Sequence, residues 1–368
     1  MNSQIIIDLE KIKENHNNIR TKLNKDIKIC AIVKSNAYGY GIIEICKILE
    51  KKGIEMLGVS TPEEALKLRK ASIKSPIIIL QHNPNTNYQK LIDNNLIQTL
   101  TAENQIEKIN NELETRKKLN VHIKIDTGMS RLGIHHNDTE KVKRIVKNTK
   151  NIKLTGIMSH LSDSENLNQY KTQKQTEKFK RALQVLDINE IQELDIHLAN
   201  SGGIQQKETN FNMVRVGYEL YKNATTLKSN ILEIKKIGKD ETIGYNDTVK
   251  LKEDKIIAIV PIGYANGYPL EASNKGKVII KGKYYPIIGK VCMNMLMIDL
   301  KENKEKVTTA NEVILLDPNY IAITEQALSK TCNTDPRELM LRLLNGQITR
   351  TYKSSIEYKI KKRVKEII

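Results

Sequence analysis

The chain has 368 residues, 39% hydrophobic and 28% charged, enough for one large and one smaller domain with separate cores. No apolar run approaches the roughly 20 residues of a membrane-spanning helix, and the formal charge of +17 is spread along the whole chain, without the finger, RNA-recognition or arginine-rich motifs of a specific nucleic-acid partner. Four cysteines, Cys30, Cys46, Cys292 and Cys332, stand far apart with no C-x-x-C spacing, which argues against a metal site or a disulfide framework and for a reducing, cytoplasmic setting.

The opening stretch MNSQIIIDLE has only three isoleucines before acidic residues, so no secretory leader is expected there. Its first eight or so residues are a candidate strand of a later β region. Leu9, Ile12, Ile19 and Leu23 recur on one helical face. Then comes AIVKSNAYGYG, Ala31 to Gly41, in which an apolar run delivers Lys34 into a turn of small residues, tyrosines and glycines. A surface lysine at a strand end is the ordinary explanation; an amine that does chemistry is the other.

Apolar runs at 27–33, 55–60, 76–81, 97–101, 121–126, 154–159, 195–200 and 212–217 read as strands, several nearly continuous in hydrophobicity, as strands covered on both faces are. Helix-patterned segments separate most of them. STPEEALKLRKA carries a start signal, with Thr61 as N-cap, Pro62 in the first turn and Glu64 three residues after the cap. Eight strands alternating with helices over residues 1–226 predict an α/β fold, a (β/α)8 barrel. A doubly wound sheet is the main competitor, and the absence of G-x-G-x-x-G after the first strand counts against it. Over 227–368 the texture changes to strands split by Gly, Asn and Lys-rich turns, with one helix at DPRELMLRLLN, which predicts a smaller, mostly-β C-terminal domain.

Barrels of this kind keep their chemistry at the C-terminal ends of the strands. Lys34 follows strand one, Arg131 lies in DTGMSRLGI after strand five, and His160 ends strand six. Ser201 opens a glycine pair in ANSGG after strand seven, and Arg215, Gly217 and Tyr218 end strand eight in RVGY. Singly, these are a structural histidine, half of an ion pair and an ordinary turn. Jointly they place an amine, two arginines and the hydroxyl and glycine donors of a phosphate cradle at one barrel mouth. Pyridoxal 5′-phosphate, a phosphorylated aldehyde that condenses with lysine, fits that combination.

Through AIVKSNAYGYG, DTGMSRLGI, HLANSGG, MVRVGYELY, IGYNDTV, IGYANGYP and GKVCMNMLMIDL, in order and nearly end to end, the chain resembles the alanine racemases of the fold-type III pyridoxal-phosphate enzymes. The resemblance implies interconversion of L- and D-alanine, supplying D-alanine for peptidoglycan, by a two-base mechanism. Lys34 would hold the cofactor as a Schiff base and act as one base; Tyr245, reaching in from the second subunit of a homodimer, would be the other. A phenol is a poor base at neutral pH without support, and His160 and Arg215 are the candidates for it. Arg215 would face the pyridine nitrogen, and because guanidinium keeps its proton the ring would remain a weak electron sink. Tyr38, Ser201, Gly217 and Tyr218 would hold the phosphate. Arg131 and the backbone at Met293 would orient the cofactor hydroxyl and the substrate carboxylate, and Lys124 stands where some members carry a carbamylated lysine.

Several positions depart from the family pattern. Asn266 and Asn294 replace the usual aspartates, Leu270 an arginine, Val216 a frequent proline, and QITR (Gln347 to Arg350) the usual RVPR. The reacting groups are untouched, but a racemase of serine or of broad specificity stays open. A fold-type III decarboxylase, with Cys292 in the right domain, is disfavoured by IGYNDTV, and a single-barrel cofactor carrier by the second domain.

Overall fold

The computed structural model describes residues 3–113, 117–166, 169–186 and 193–354. After a first strand, β1 (Gln4–Asp8), come β2 (Lys28–Ile32), β3 (Met56–Val59), β4 (Ile77–Ile79), β5 (Leu96–Leu100), β6 (Leu119–Asp126), the two-residue β7 (Ile134–His135), β8 (Ile152–Met158), β9 (Asp195–His197) and β10 (Met213–Val216). Hydrogen-bonded neighbours run β5-β4-β3-β2-β10-β9-β8-β6, all parallel, and β6 pairs with β5 to close the ring. All eight expected strands are therefore present, in a closed barrel. Their near-continuous hydrophobicity has the anticipated cause, since β3, β4, β5 and β10 are buried at every residue.

The helices that cover the barrel present one apolar face inward. The helix Ile42–Lys51 buries Ile42, Ile45, Cys46, Ile48 and Leu49. The helix Tyr170–Leu186 packs Phe179 and Leu183 with Ile123, Ile125 and Ile157 of the strands. Thr61 caps Pro62–Lys70 as expected, its hydroxyl accepting from the Glu64 N–H. The Glu64 carboxylate does not complete a capping box: it accepts from the N–H groups of Ser60 and Asn36, at 2.8 and 3.3 Å. The first helix ends at Arg20, short of Leu23, where the Arg20 guanidinium turns to donate to the Ile27 carbonyl and to Glu55.

A second compact unit takes in the residues up to Ile12, Tyr38–Tyr40 and those from Tyr221 onward; the barrel unit comprises Lys13–Ala37 and Gly41–Leu220. This second unit is mostly β. Its strands are β11 (Thr225–Asn230), β12 (Glu233–Ile237), β13 (Lys255–Val260), β14 (Lys277–Ile280), β15 (Lys283–Ile288), β16 (Leu296–Asp299), β17 (Glu312–Leu316) and β18 (Thr349–Lys353). They form one sheet with β1, in the order β12-β13-β16-β15-β14-β17-β11-β1-β18. The N-terminal strand lies between β11, antiparallel, and β18, parallel.

Two expectations for this unit need correction. The TVKLK segment is not a regular strand, because it bonds back to 240–243 through Ile243, Leu251 and a single Thr242–Lys250 bridge. Two helices rather than one occur among the described residues, Glu325–Cys332 and Pro336–Asn345, capped by the side chains of Thr324 and Asp335.

Candidate active site

Lys34 leaves β2 into an unusual turn. Ser35, Asn36, Ala37 and Tyr38 all have φ of 54–57°, one turn of left-handed helix built from non-glycine residues. Left-handed geometry costs about 1–2 kcal/mol per L-residue, so surrounding bonds must hold it. The Ala37 N–H donates to the Val33 carbonyl, the Gly41 N–H to the Asn36 carbonyl, and the Ile42 N–H to the Asn36 side chain. Strain of this kind concentrates where a side chain must be aimed. The Lys34 amine is half-buried and its pKa lies below the ordinary lysine value, chiefly through burial and further through the Arg131 charge, with Glu64 opposing.

Lys124 on β6 is buried, 5% exposed, and its pKa is pushed down to about 8 by burial, then by the charges of Arg215 and Arg131. After β6, Asp126 organises the turn that carries Arg131: its Oδ1 accepts from the N–H groups of Gly128, Met129 and Ser130 at 2.8, 3.0 and 3.1 Å. Burial pulls that carboxyl upward, but these bonds outweigh it and hold its pKa below the usual range. Arg131 itself is exposed.

Arg215 is the centre of the cluster. Its guanidinium is 3% exposed, and burial lowers its pKa to about 10. One terminal nitrogen donates to His197 Nδ1 and the His197 carbonyl at 3.0 and 2.9 Å. The other donates to the carbonyls of Ser159 and Leu198 and to His160 Nδ1, at 2.6, 3.0 and 3.1 Å. None of these bonds uses Nε–H. Burial, then the Arg215 charge, drives the His160 pKa to about 2, so His160 is neutral with its proton on Nε2. Beyond β9, Ser201 Oγ accepts from the Gly217 N–H at 3.1 Å, which leaves its hydroxyl proton to donate elsewhere. Gly202 has no room for a side chain, since a Cβ there would stand 2.6 Å from Ser164 Oγ.

The barrel unit thus brings Lys34, Lys124, Arg131, His160 and Arg215 into mutual electrostatic range, with Ser201, Gly217 and Tyr218 on the adjoining turns. Tyr38, Tyr245 and Met293 belong to the other unit. Tyr38 lies against the Tyr221 ring, with centroids 5.2 Å apart, and burial raises its pKa. Tyr245 and Met293 are 65% and 55% exposed. Two residues that sequence reasoning missed, His197 and His122, are fully buried inside the barrel. Their only signal was a histidine within each apolar run, IHLA and VHIK.

A half-buried amine with lowered pKa is nucleophilic toward an aldehyde, and the arginine Nε–H and serine hydroxyl are donors that a pyridine nitrogen and a phosphate can use. The residues present therefore fit pyridoxal phosphate.

Comparison with known proteins agrees. Residues 7–224 match the family model described as alanine racemase, N-terminal domain, and residues 224–352 match alanine racemase, C-terminal domain. An alanine racemase of Thermodesulfovibrio yellowstonii is 37% identical over 361 residues, covering 95% of this chain and 97% of that protein. Among solved structures, an alanine racemase of Clostridium difficile 630 superposes with TM-score 0.88 at 28% identity, covering 96% of both chains. One from Bartonella henselae, with covalently bound pyridoxal phosphate, superposes with TM-score 0.86 at 26% identity, covering 96% of this chain and 100% of that one.

Proposed function

This chain belongs to the alanine racemase family, and from that premise we infer that it interconverts L- and D-alanine with pyridoxal phosphate as cofactor. The observation that carries the reading is the buried Arg215 with its uncommitted Nε–H, set in the same cluster as the half-buried amine of Lys34.

Lys34 would hold the cofactor through its amine, Arg215 Nε–H would face the pyridine nitrogen, and Ser201, Gly217, Tyr218 and Tyr38 would hold the phosphate. When bound, the cofactor supplies a conjugated ring that accepts electron density from the substrate α carbon. The protein's part is to move one proton on each face of that carbon. Lys34, with its lowered pKa, has a larger neutral fraction at physiological pH than an ordinary lysine and so can accept a proton. Tyr245 of the partner subunit in a homodimer would serve the opposite face, which agrees with its exposure in the single chain. His160, bonded to Arg215, is held neutral with its proton on Nε2, and that Nε2–H would be the donor that steadies the phenol oxygen. Arg131 and the Met293 backbone would take the substrate carboxylate. Lys124, buried among cations with its pKa near 8, has a neutral amine fraction that would add to carbon dioxide with release of a proton, and the resulting carbamate would set a negative charge in range of Arg131.

Such an enzyme would act in the cytoplasm, supplying D-alanine for peptidoglycan. The test is racemisation followed by circular dichroism with purified protein and pyridoxal phosphate, comparing L-alanine with L-serine. Fast alanine turnover is expected; negligible alanine turnover beside fast serine turnover would overturn the substrate assignment.

A further inference from the structure

A line of buried polar groups runs through the barrel from Arg215 to its opposite, N-terminal end. Arg215 donates to His197 Nδ1 at 3.0 Å. His197 Nε2 lies 2.9 Å from His122 Nδ1, and His122 Nε2 stands 3.9 Å from Asp195 Oδ2. Asp195 Oδ1 accepts from Lys28 Nζ at 2.7 Å, at the mouth of a cavity of about 260 Å³. Both histidines are 0% exposed. Barrel interiors are ordinarily filled with branched apolar side chains, and burying two imidazoles and a guanidinium is costly; three of the four ring nitrogens are hydrogen-bonded, and His122 Nε2 is the one that is not.

The backbone is adapted to this line. Pairing between β6 and β8 slips at Val121/His122, so that Thr155 is the extra residue of a bulge and Gly156 comes opposite His122. A Cβ on Gly156 would lie 2.6 Å from His122 Nε2 and 2.7 Å from the Asp195 carbonyl. Only glycine leaves that ring its place.

The direction of every proton follows from one end. Guanidinium can only donate, so His197 Nδ1 is bare and Nε2 carries the proton. His197 therefore donates to His122 Nδ1, and His122 is left with an Nε2–H that has no hydrogen-bond partner and whose nearby anion is the Asp195 carboxylate, 3.9 Å away. We propose that Asp195 and His122 are positioning residues that fix the tautomer of His197 and thereby hold the Arg215 guanidinium in the orientation that leaves its Nε–H for the active site. The charged and titratable groups facing the line are Lys28 and Cys30 from β2 and Lys124 from β6. The inference deepens the reading of Arg215 given above.

Asp195→Asn is the discriminating variant. Lys28 demands the oxygen of the new amide, which turns the NH2 toward His122 Nε2 and favours the opposite tautomer there. Nε2–H of His197 would then meet an N–H at His122, and a flip of His197 would set N–H against N–H at Arg215. In full-length holoenzyme with 15N-labelled histidine, long-range 1H–15N spectra should show His122 and His197 both as Nε2–H tautomers in the unmutated protein. Asp195→Asn should move His122 to Nδ1–H and lower kcat roughly tenfold to a hundredfold, as misplacement of a reacting group does. Asp195→Glu, or Lys28→Met added to Asp195→Asn so that the amide can rotate, should restore both the tautomers and most of kcat. An Nδ1–H tautomer at His122 in the unmutated protein overturns the proposal, whether or not the variant folds. Unchanged tautomers and unchanged kcat in Asp195→Asn overturn it as well. The tautomer reading is independent of substrate, so its failure is separable from failure of the alanine assignment.

Discussion

Acid should destabilise this protein steeply, well before its carboxylates titrate. Burial holds the pKa of His122 at about 3 and of His160 at about 2, and that of His197 well below its ordinary value, with the Arg215 charge adding to each. In the unfolded chain the same groups titrate near 6.5. Below that pH the unfolded state binds protons that the folded state refuses, so stability rises with pH across this window and is lost as pH falls through it. Between pH 7 and pH 5.5 each histidine contributes a loss on the order of 1 kcal/mol, roughly 3–4 kcal/mol for the three. His16, His82 and His136, shifted in the same direction, add to the sum. Calorimetric unfolding at pH 5.5 in buffers of different ionisation enthalpy counts the protons directly. Roughly 0.9 per buried histidine, or about 2.7 in all, should be taken up by the barrel three alone. Uptake of less than about one proton would refute the claim that these imidazoles are buried neutral.

Lys34→Ala should abolish the visible absorbance that bound pyridoxal phosphate confers and lower racemisation on the order of 10²–10⁴-fold; a coloured, active variant would remove Lys34 from the site. Tyr245→Phe should keep the cofactor yet lose turnover by a similar factor, more from one enantiomer than from the other, as progress curves begun from L- and D-alanine would reveal. Asn266→Asp should destabilise by about 0.5–1.5 kcal/mol in urea unfolding, because the Asn266 amide donates to the Gln347 carbonyl at 2.9 Å while its oxygen accepts from the Gly263 N–H at 3.0 Å. A carboxylate can do only the second.

The barrel was legible because eight apolar runs, several of them nearly continuous, alternate with helical periodicity, and such patterning follows burial. Lys34, Arg131, His160, Ser201 and Arg215 were singled out by their places at strand ends, where this fold collects its chemistry. His122 and His197 were not, since a histidine inside an apolar run has no pattern that separates a core filler from a hydrogen-bonded line. That distinction rests on pairing across β6, β8 and β9, which only the bulge at Thr155 and the opposing Gly156 disclose. The left-handed turn after Lys34 was equally hidden, because Ser35, Asn36, Ala37 and Tyr38 do not all favour positive φ. In the second unit the helix Glu325–Cys332 escaped notice although Thr324 and Asn333 bracket it; eight residues give too few turns for an apolar face to register.

The placement of β1 between β11 and β18 sets an order of events during translation. Gln4–Asp8 leave the ribosome before the rest of their sheet, and their partners Thr225–Asn230 and Thr349–Lys353 are made hundreds of residues later. At about 5–20 residues per second, β1 waits roughly 20–70 s for its second neighbour. Meanwhile every strand of the barrel has already emerged, so the nascent chain can complete that ring while the first strand still has an unpaired edge. Ribosomal stalling anywhere in the last third would prolong that exposure, and the isoleucines at 5–7 are the segment that a chaperone would have to shield.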